Sequence, residues 1–172
     1  MVIIVTGAIG IGKTTVCRKL IEIIRSRGIT CGGILTYKAA GQEIIIEDIN
    51  SGEKEILAGV SDLYGGPRTP RYYFNPKGIE FGIQAIDDGT SRAILVVDEI
   101  GYLELRGEGF AQVLELINTG KVKVCILVIR SELLSAFLTR LRLKPAVFDV
   151  TLNNRDQLPE EIGSMLFEKP LA

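Results

Sequence analysis

The sequence predicts a three-layer α/β/α fold around a mostly parallel sheet. Short, continuous apolar runs such as Met1–Val5, Ala93–Val97 and Val124–Ile129 read as strands buried on both faces. Between them lie stretches whose apolar residues recur at helical spacing, so helices would cover both sides of the sheet. A third pattern, three strand-like pieces joined by short turns, adds an antiparallel meander and makes the sheet mixed.

The elements follow in order. Met1–Val5 is the first buried strand. Lys13–Arg27 carries Val16, Leu20, Ile23 and Ile24 on one face, and Gly28 stops that helix. Gly32–Tyr37, Glu43–Ile49 and Glu53–Ala58 form the meander, with Gly41 and Asn50-Ser51-Gly52 as its turns. Ser61–Arg71 holds Gly65-Gly66-Pro67 and Pro70 and reads as a loop. Tyr72–Phe74 is a short strand. Asn75-Pro76 is an N-cap followed by proline at the first helical position, with Ile79, Ile83 and Ile86 on the buried face. Asp87-Asp88-Gly89 ends that helix. Ala93–Val97 is a strand. Phe110, Val113, Leu114 and Ile117 mark a helix, and Val122–Ile129 another strand. Leu134, Phe137, Leu138 and Leu141 mark a helix, Ala146–Val150 a strand, and Pro159–Phe167 the last helix. No repeat or linker divides residues 1–172, so one domain is expected.

Composition narrows the chemistry. The chain has 172 residues, 47% of them hydrophobic, with a net charge of -1 and no histidine. The charge argues against a general nucleic-acid or anionic-membrane binder, since both need a basic surplus. Without histidine there is no Ser-His-Asp triad, no Cys-His dyad and no imidazole base or ligand. Proton transfer must rest on carboxylates, lysine, tyrosine or water. Cys17, Cys31 and Cys125 share no motif spacing and read as reduced core residues. The longest apolar run, Val124–Ile129, is too short to span a bilayer. The apolar start runs straight into a motif at Gly7, so no cleaved leader is expected. A cytoplasmic monomer is the simplest expectation.

Gly7-Ala8-Ile9-Gly10-Ile11-Gly12-Lys13-Thr14 matches the phosphate-loop pattern G-x-x-x-x-G-K-[ST] between a strand and a helix. Glycines let successive N–H groups point at a phosphate chain, and the helix start adds unpaired donors and the positive dipole end. Lys13 would bridge the β- and γ-phosphates, the Thr14 hydroxyl would ligate Mg²⁺, and Thr15 suits an α-phosphate. Ala93–Val97 then runs into Asp98-Glu99. Asp98 at a strand's carboxyl end can hold Mg²⁺ opposite the threonine. Glu99, one residue further, can orient or deprotonate an attacking water.

These residues fit three activities: hydrolysis of nucleoside triphosphates, a GTPase-like switch, or a small-molecule kinase. Asp98-Glu99-Ile100-Gly101 fits the D-x-x-G of regulatory GTPases, but Asn153-Asn154-Arg155-Asp156 lacks the lysine of their guanine-reading motif. No acceptor site for a kinase is visible.

Arg130 directly follows a buried strand, so it is a candidate arginine finger or γ-phosphate sensor, or else a plain strand-end residue. Arg155 could stack on the base or be an ordinary loop residue. Arg68 and Arg71 border the glycine-rich loop, which could act as a lid or merely be mobile. Glu104 could orient Glu99 or its water, but reads more simply as a solvated loop charge.

The chain as a whole resembles the THEP1-type nucleoside-triphosphatases. The resemblance rests on Val5-Thr6-Gly7 leading into Gly10-Ile11-Gly12-Lys13-Thr14-Thr15, then Gly33-Ile34-Leu35-Thr36, Asn50-Ser51-Gly52-Glu53 and Arg71-Tyr72-Tyr73. Its most specific stretch is Asp98-Glu99-Ile100-Gly101-Tyr102-Leu103-Glu104-Leu105 with Phe110 beyond. It ends with Val150-Thr151 and Asn154-Arg155-Asp156. Leu103 replaces the family's usual methionine, Gly33-Ile34 stands where Gly-Phe is common, and the stretch after Tyr37 lacks the frequent Glu-x-Arg. The resemblance implies Mg²⁺-dependent hydrolysis of nucleoside triphosphates with broad base tolerance. It also implies a RecA-like P-loop NTPase fold, with one strand lying between the phosphate-loop strand and the Asp98-Glu99 strand.

Overall fold

The computed structural model describes residues 1–168; the last four residues of the expected domain lie outside them. One sheet of eight strands organises the molecule. In chain order its strands are β1 (Val2–Gly7), β2 (Cys31–Lys38), β3 (Ile44–Asp48), β4 (Lys54–Gly59), β5 (Tyr73–Phe74), β6 (Ile94–Ile100), β7 (Cys125–Arg130) and β8 (Ala146–Asp149). The helices are α1 (Lys13–Ser26), α2 (Pro76–Gly89), α3 (Tyr102–Leu105), α4 (Gln112–Asn118), α5 (Ser131–Leu138) and α6 (Leu158–Glu168).

The strand order is β5-β4-β3-β2-β6-β7-β1-β8. Strands β2, β6, β7, β1 and β8 pair in parallel, while β3, β4 and β5 continue the sheet antiparallel, so the expected meander forms. Strand β7 lies between β1 and β6, as the family resemblance implied. The carboxyl ends of β1, β7, β6 and β2 therefore share one edge of the sheet. That edge collects loops and helix starts, the usual place for a ligand in an open α/β sheet.

Alternation along β1 shows how the layers form. Ile3 and Val5 pack with Val16, Leu20 and Ile24 of α1 and Ile162 and Leu166 of α6. Val2 and Ile4 face the other way, toward Ile86 of α2, Val113 and Ile117 of α4 and Phe137 of α5. Successive side chains on a strand point to opposite faces, so a strand between two helical layers must be apolar throughout. Cys17, Cys31 and Cys125 are buried, unbridged parts of these cores. No helix among the described residues is long and apolar enough to cross a membrane.

The structure differs from the sequence reading at the ends of elements and in one small helix. Phe110 lies in the turn before α4, Leu141 lies beyond α5, and Tyr72 is buried just ahead of β5. Helix α3 is a single turn, too short to show a period in sequence.

One close contact sets the register near the site. Gly33 has φ +103°, and a Cβ there would lie 2.1 Å from the Val96 carbonyl oxygen, so only glycine lets β2 close against β6. On the far side of the sheet, Asn75 caps α2 by accepting from the Lys77 N–H at 3.1 Å. Its amide also donates to the Ile56 carbonyl at 2.9 Å, tying the helix start to β4. Asn75→Ala should lose the cap and leave a part-buried carbonyl without its donor, lowering unfolding free energy by about 1–2 kcal/mol in a urea titration.

Candidate functional site

The phosphate-loop residues Gly7, Ala8, Ile9, Gly10, Ile11 and Gly12 connect β1 to α1. Gly7, Gly10 and Gly12 all take positive φ, at 142°, 78° and 110°, which is how so short a loop turns from strand into helix. Gly12 is the N-cap of α1 and supplies no side chain to its first amides, and the first turn carries no acid. The helix start is thus left as a set of backbone donors with the positive end of the dipole behind them. Lys13 folds back over the loop, its Nζ donating to the carbonyls of Gly7 at 2.8 Å and Ala8 at 2.7 Å. Partial burial lowers its pKa, against the opposing pull of Glu99 and alongside repulsion from Arg130. Thr14 is half-buried, and Thr15 points to solvent.

The two acids sit where the β6–β7 ladder breaks. The register shifts between Val97 and Ile100, and Glu99 takes φ 70°, a conformation non-glycine residues adopt rarely and at a cost of order 1–3 kcal/mol. Asp98 is buried at 1% exposure and Glu99 reaches the surface. Burial, then the neighbouring Glu99 charge, pushes the Asp98 carboxyl up to about 7, while Thr14, the Thr36 N–H and Lys13 pull the other way. Glu99 is ion-paired to Arg130 at 2.5 Å. Arg130 stands at the end of β7 with its backbone in register with Gly7, so the guanidinium rises between the phosphate loop and β6. The structure thus brings Lys13, Thr14, Asp98, Glu99 and Arg130 to one place, with Arg130 ion-paired to Glu99.

Arg155 lies in the loop after β8. It is exposed, and its side-chain stem passes the phosphate loop: a Cβ built on Gly12 would stand 3.8 Å from its Cδ. Arg68 and Arg71 behave differently. The Arg68 carbonyl accepts from Arg106 at 3.0 Å, Arg71 lies over the Tyr72 ring, and Thr69 is bonded to Tyr72. Arg68, Thr69, Pro70, Tyr73 and Arg106 line a cavity of about 460 Å³ on this side.

Glu104 is not a solvated charge. It is 3% exposed, and its carboxylate accepts from the Gly101 N–H at 2.7 Å and the Phe110 N–H at 2.9 Å, so it organises the turn after β6. Burial raises its pKa despite those two donors. Thr36, to which the motif analysis gave no role, belongs to the site. Its N–H donates to Asp98 Oδ2 and its hydroxyl to Glu99 Oε2, both at 3.2 Å. The signal in the sequence is faint: one threonine following the apolar Ile34-Leu35 in β2.

A divalent cation suits this donor set. The Thr14 hydroxyl and Asp98 carboxylate are hard oxygen ligands next to each other, and the carboxylate is buried with too little positive charge around it to stay at its ordinary pKa. Among the described residues no group of three His, Cys, Asp or Glu could hold a metal by itself. Magnesium commonly takes one or two protein oxygens and completes its shell with water and phosphate.

Fold and site together define a P-loop NTPase domain. A family model described as NTPase matches residues 2–163. The nucleoside-triphosphatase THEP1 of Thermofilum pendens is 34% identical, over 93% of this chain and 92% of its own. Those of Thermotoga maritima and Methanopyrus kandleri are 32% and 31% identical, each over 96% of this chain and 95% of theirs. The crystal structure of THEP1 from Aquifex aeolicus superposes with a TM-score of 0.77 at 25% identity, covering 96% of this chain and 99% of that one. A human cancer-related nucleoside triphosphatase shares the fold, with a TM-score of 0.73 at 21% identity over 97% of each chain. The chain belongs to the THEP1 nucleoside-triphosphatase family and is an enzyme that hydrolyses nucleoside triphosphates.

The raised Asp98 carboxyl has a consequence for stability. The folded protein holds this proton more tightly than the unfolded chain, so the contribution of Asp98 to stability falls as pH rises from about 4 to about 7. Asp98→Asn carries no such charge. Without nucleotide and divalent ions, its melting temperature should match the parent near pH 4 and exceed it at pH 8.

Proposed function

We propose that the enzyme hydrolyses nucleoside 5'-triphosphates, ATP and GTP among them, to the diphosphate and phosphate, with Mg²⁺ as cofactor and water as acceptor. The observation that carries this reading is the convergence of Lys13, Thr14, Asp98, Glu99 and Arg130 on one edge of the sheet. Thr14 and Asp98 would hold Mg²⁺, which neutralises phosphate charge and polarises the γ-phosphoryl group when bound. The backbone from Gly7 to Thr15 would wrap the phosphates.

Two cations in this site are engaged with weaker partners than a triphosphate. Lys13 is bonded to loop carbonyls and Arg130 to Glu99. An arriving phosphate chain offers Lys13 full negative charge in place of two dipoles. The γ-phosphate likewise competes for Arg130, which leaves Glu99 free to orient a water and accept its proton. The water oxygen forms a bond to the γ-phosphorus, and the bond from that phosphorus to the β,γ-bridging oxygen breaks. Electrostatic stabilisation and positioning supply most of the acceleration in such transfers.

Broad base tolerance is part of this reading. Ile9 and Leu152 are exposed apolar residues and Arg155 a planar cation beside Gly12, so the base would meet faces rather than a fixed set of hydrogen bonds. The polypeptide offers no basic surplus for nucleic acid, and a cytoplasmic monomer is the simplest form consistent with its composition.

Phosphate release across ATP, GTP, CTP and UTP, with and without Mg²⁺ and with candidate nucleoside acceptors, tests the whole reading. ATP and GTP should differ in kcat/KM by less than about tenfold, or 1.4 kcal/mol. Strict use of GTP would favour a switch, and phosphate appearing on an acceptor would make the enzyme a kinase.

The two acids are separable. Glu99→Gln should lower kcat by about 10²–10⁴-fold with little change in nucleotide affinity, since a water-orienting base acts mainly in the transition state. Asp98→Asn should weaken Mg²⁺-nucleotide binding itself. Single-turnover hydrolysis beside equilibrium binding distinguishes them; a Glu99→Gln enzyme that cannot bind would place Glu99 in the metal shell.

A further inference from the structure

Thr36 is the one buried hydroxyl on β2, held at 1% exposure with Ile34 and Leu35 before it. A hydroxyl in such surroundings is costly unless it is bonded, and its partner is Glu99 Oε2 at 3.2 Å. The same residue gives its backbone N–H to Asp98 Oδ2. The β2–β6 ladder runs to Ile34 and Val97; beyond it the Asp98 carboxylate takes the place of a strand partner for the Thr36 N–H.

Glu99 needs such a tether. Its backbone sits at φ 70° where the β6–β7 register slips, and its side chain is 35% exposed. Nothing about that position would by itself confine the carboxylate. Two groups do: Arg130 on Oε1 and Thr36 on Oε2. They differ in how they respond to substrate. A γ-phosphate competes electrostatically for the guanidinium, whereas it has far less to offer a neutral hydroxyl set in a buried strand.

From this geometry we propose that Thr36 is the positioning residue for Glu99, its hydroxyl holding one carboxylate oxygen so that the other faces the water once Arg130 turns to phosphate. The proposal rests on the reading of Glu99 as the water-orienting group. Thr36 touches neither substrate nor water; it acts through Glu99. Its backbone bond to Asp98 survives any side-chain change, so the two acids can be perturbed separately from one strand.

The test compares steady-state ATP hydrolysis by the full-length parent, Thr36→Val, Thr36→Ser, Glu99→Gln and the Thr36→Val/Glu99→Gln double variant, with thermal melts confirming that each is folded. Valine keeps the volume and removes the donor. Losing a hydrogen bond to a charged group should lower kcat about 10- to 100-fold, with KM within about twofold. Serine should restore kcat to within about threefold of the parent, because it returns the hydroxyl without the methyl group. The double variant should be no slower than Glu99→Gln alone, since the two residues act as one unit. Should the valine variant not fold, Thr36→Ala with Thr36→Ser carries the same comparison.

A Thr36→Val enzyme with parental kcat, beside a slow Glu99→Gln, overturns the Thr36 proposal and leaves the reading of Glu99 standing. A double variant slowed by the product of the two single effects also overturns it, because Thr36 would then act independently of Glu99. Glu99→Gln turning over like the parent removes the reading of Glu99 and this proposal with it.

Discussion

Two adjacent carboxylates at a break in a buried strand dominate this structure. Like charges so close, one of them wholly out of water, are costly, and the surrounding polar groups answer that cost. Thr14 and Lys13 come from the helix start, Thr36 from the strand on one side and Arg130 from the strand on the other. The strand order is what makes this possible. With β7 between β1 and β6, an arginine at the end of β7 stands between the phosphate loop and the acids. Were β1 and β6 adjacent, there would be no strand from which to place it. The glycine at position 33 does the same service on the opposite flank, by letting β2 approach β6 closely enough for a threonine to reach both acids.

Much of this was legible in the sequence. The phosphate loop and the Asp98-Glu99 strand end stood out because their chemistry demands particular residues at fixed spacing. The buried strands stood out because a two-sided environment leaves no room for polar residues, and the Asn75-Pro76 start of α2 because capping has a local signature. The meander appeared through its turns.

What could not be seen is long-range. Thr36 lies 62 positions from Asp98, and a lone threonine in an apolar strand looks like any other half-buried strand residue until the neighbouring strand is known. Glu104 misled for the same reason. A glutamate among Arg106, Gly107 and Glu108 looks like part of a solvated loop, yet two backbone amides in its own turn gather its carboxylate into the interior. Arg130 could be placed on the correct edge from sequence, but its partner could not be chosen without the strand order. Arg68 and Arg71 border a glycine-rich loop that reads as a lid or as merely mobile; in the fold the residues after its glycines are bonded, Arg68 to Arg106 and Thr69 to Tyr72.

The turn after β6 is braced twice over. Glu104 gathers its amides from within, and Arg140, from beyond α5, donates to the carbonyls of Glu104 and Leu105. Asn118 at the end of α4 in turn donates to the Arg140 carbonyl. The turn that follows the two acids is therefore tied to both α4 and the segment beyond α5. It is a cross-linked buttress behind the acids, whereas the phosphate loop opposite has open space at Gly10 where a side chain would stand. A load placed on the two acids would pass through this turn into α4 and the segment beyond α5 rather than into the end of β6 alone.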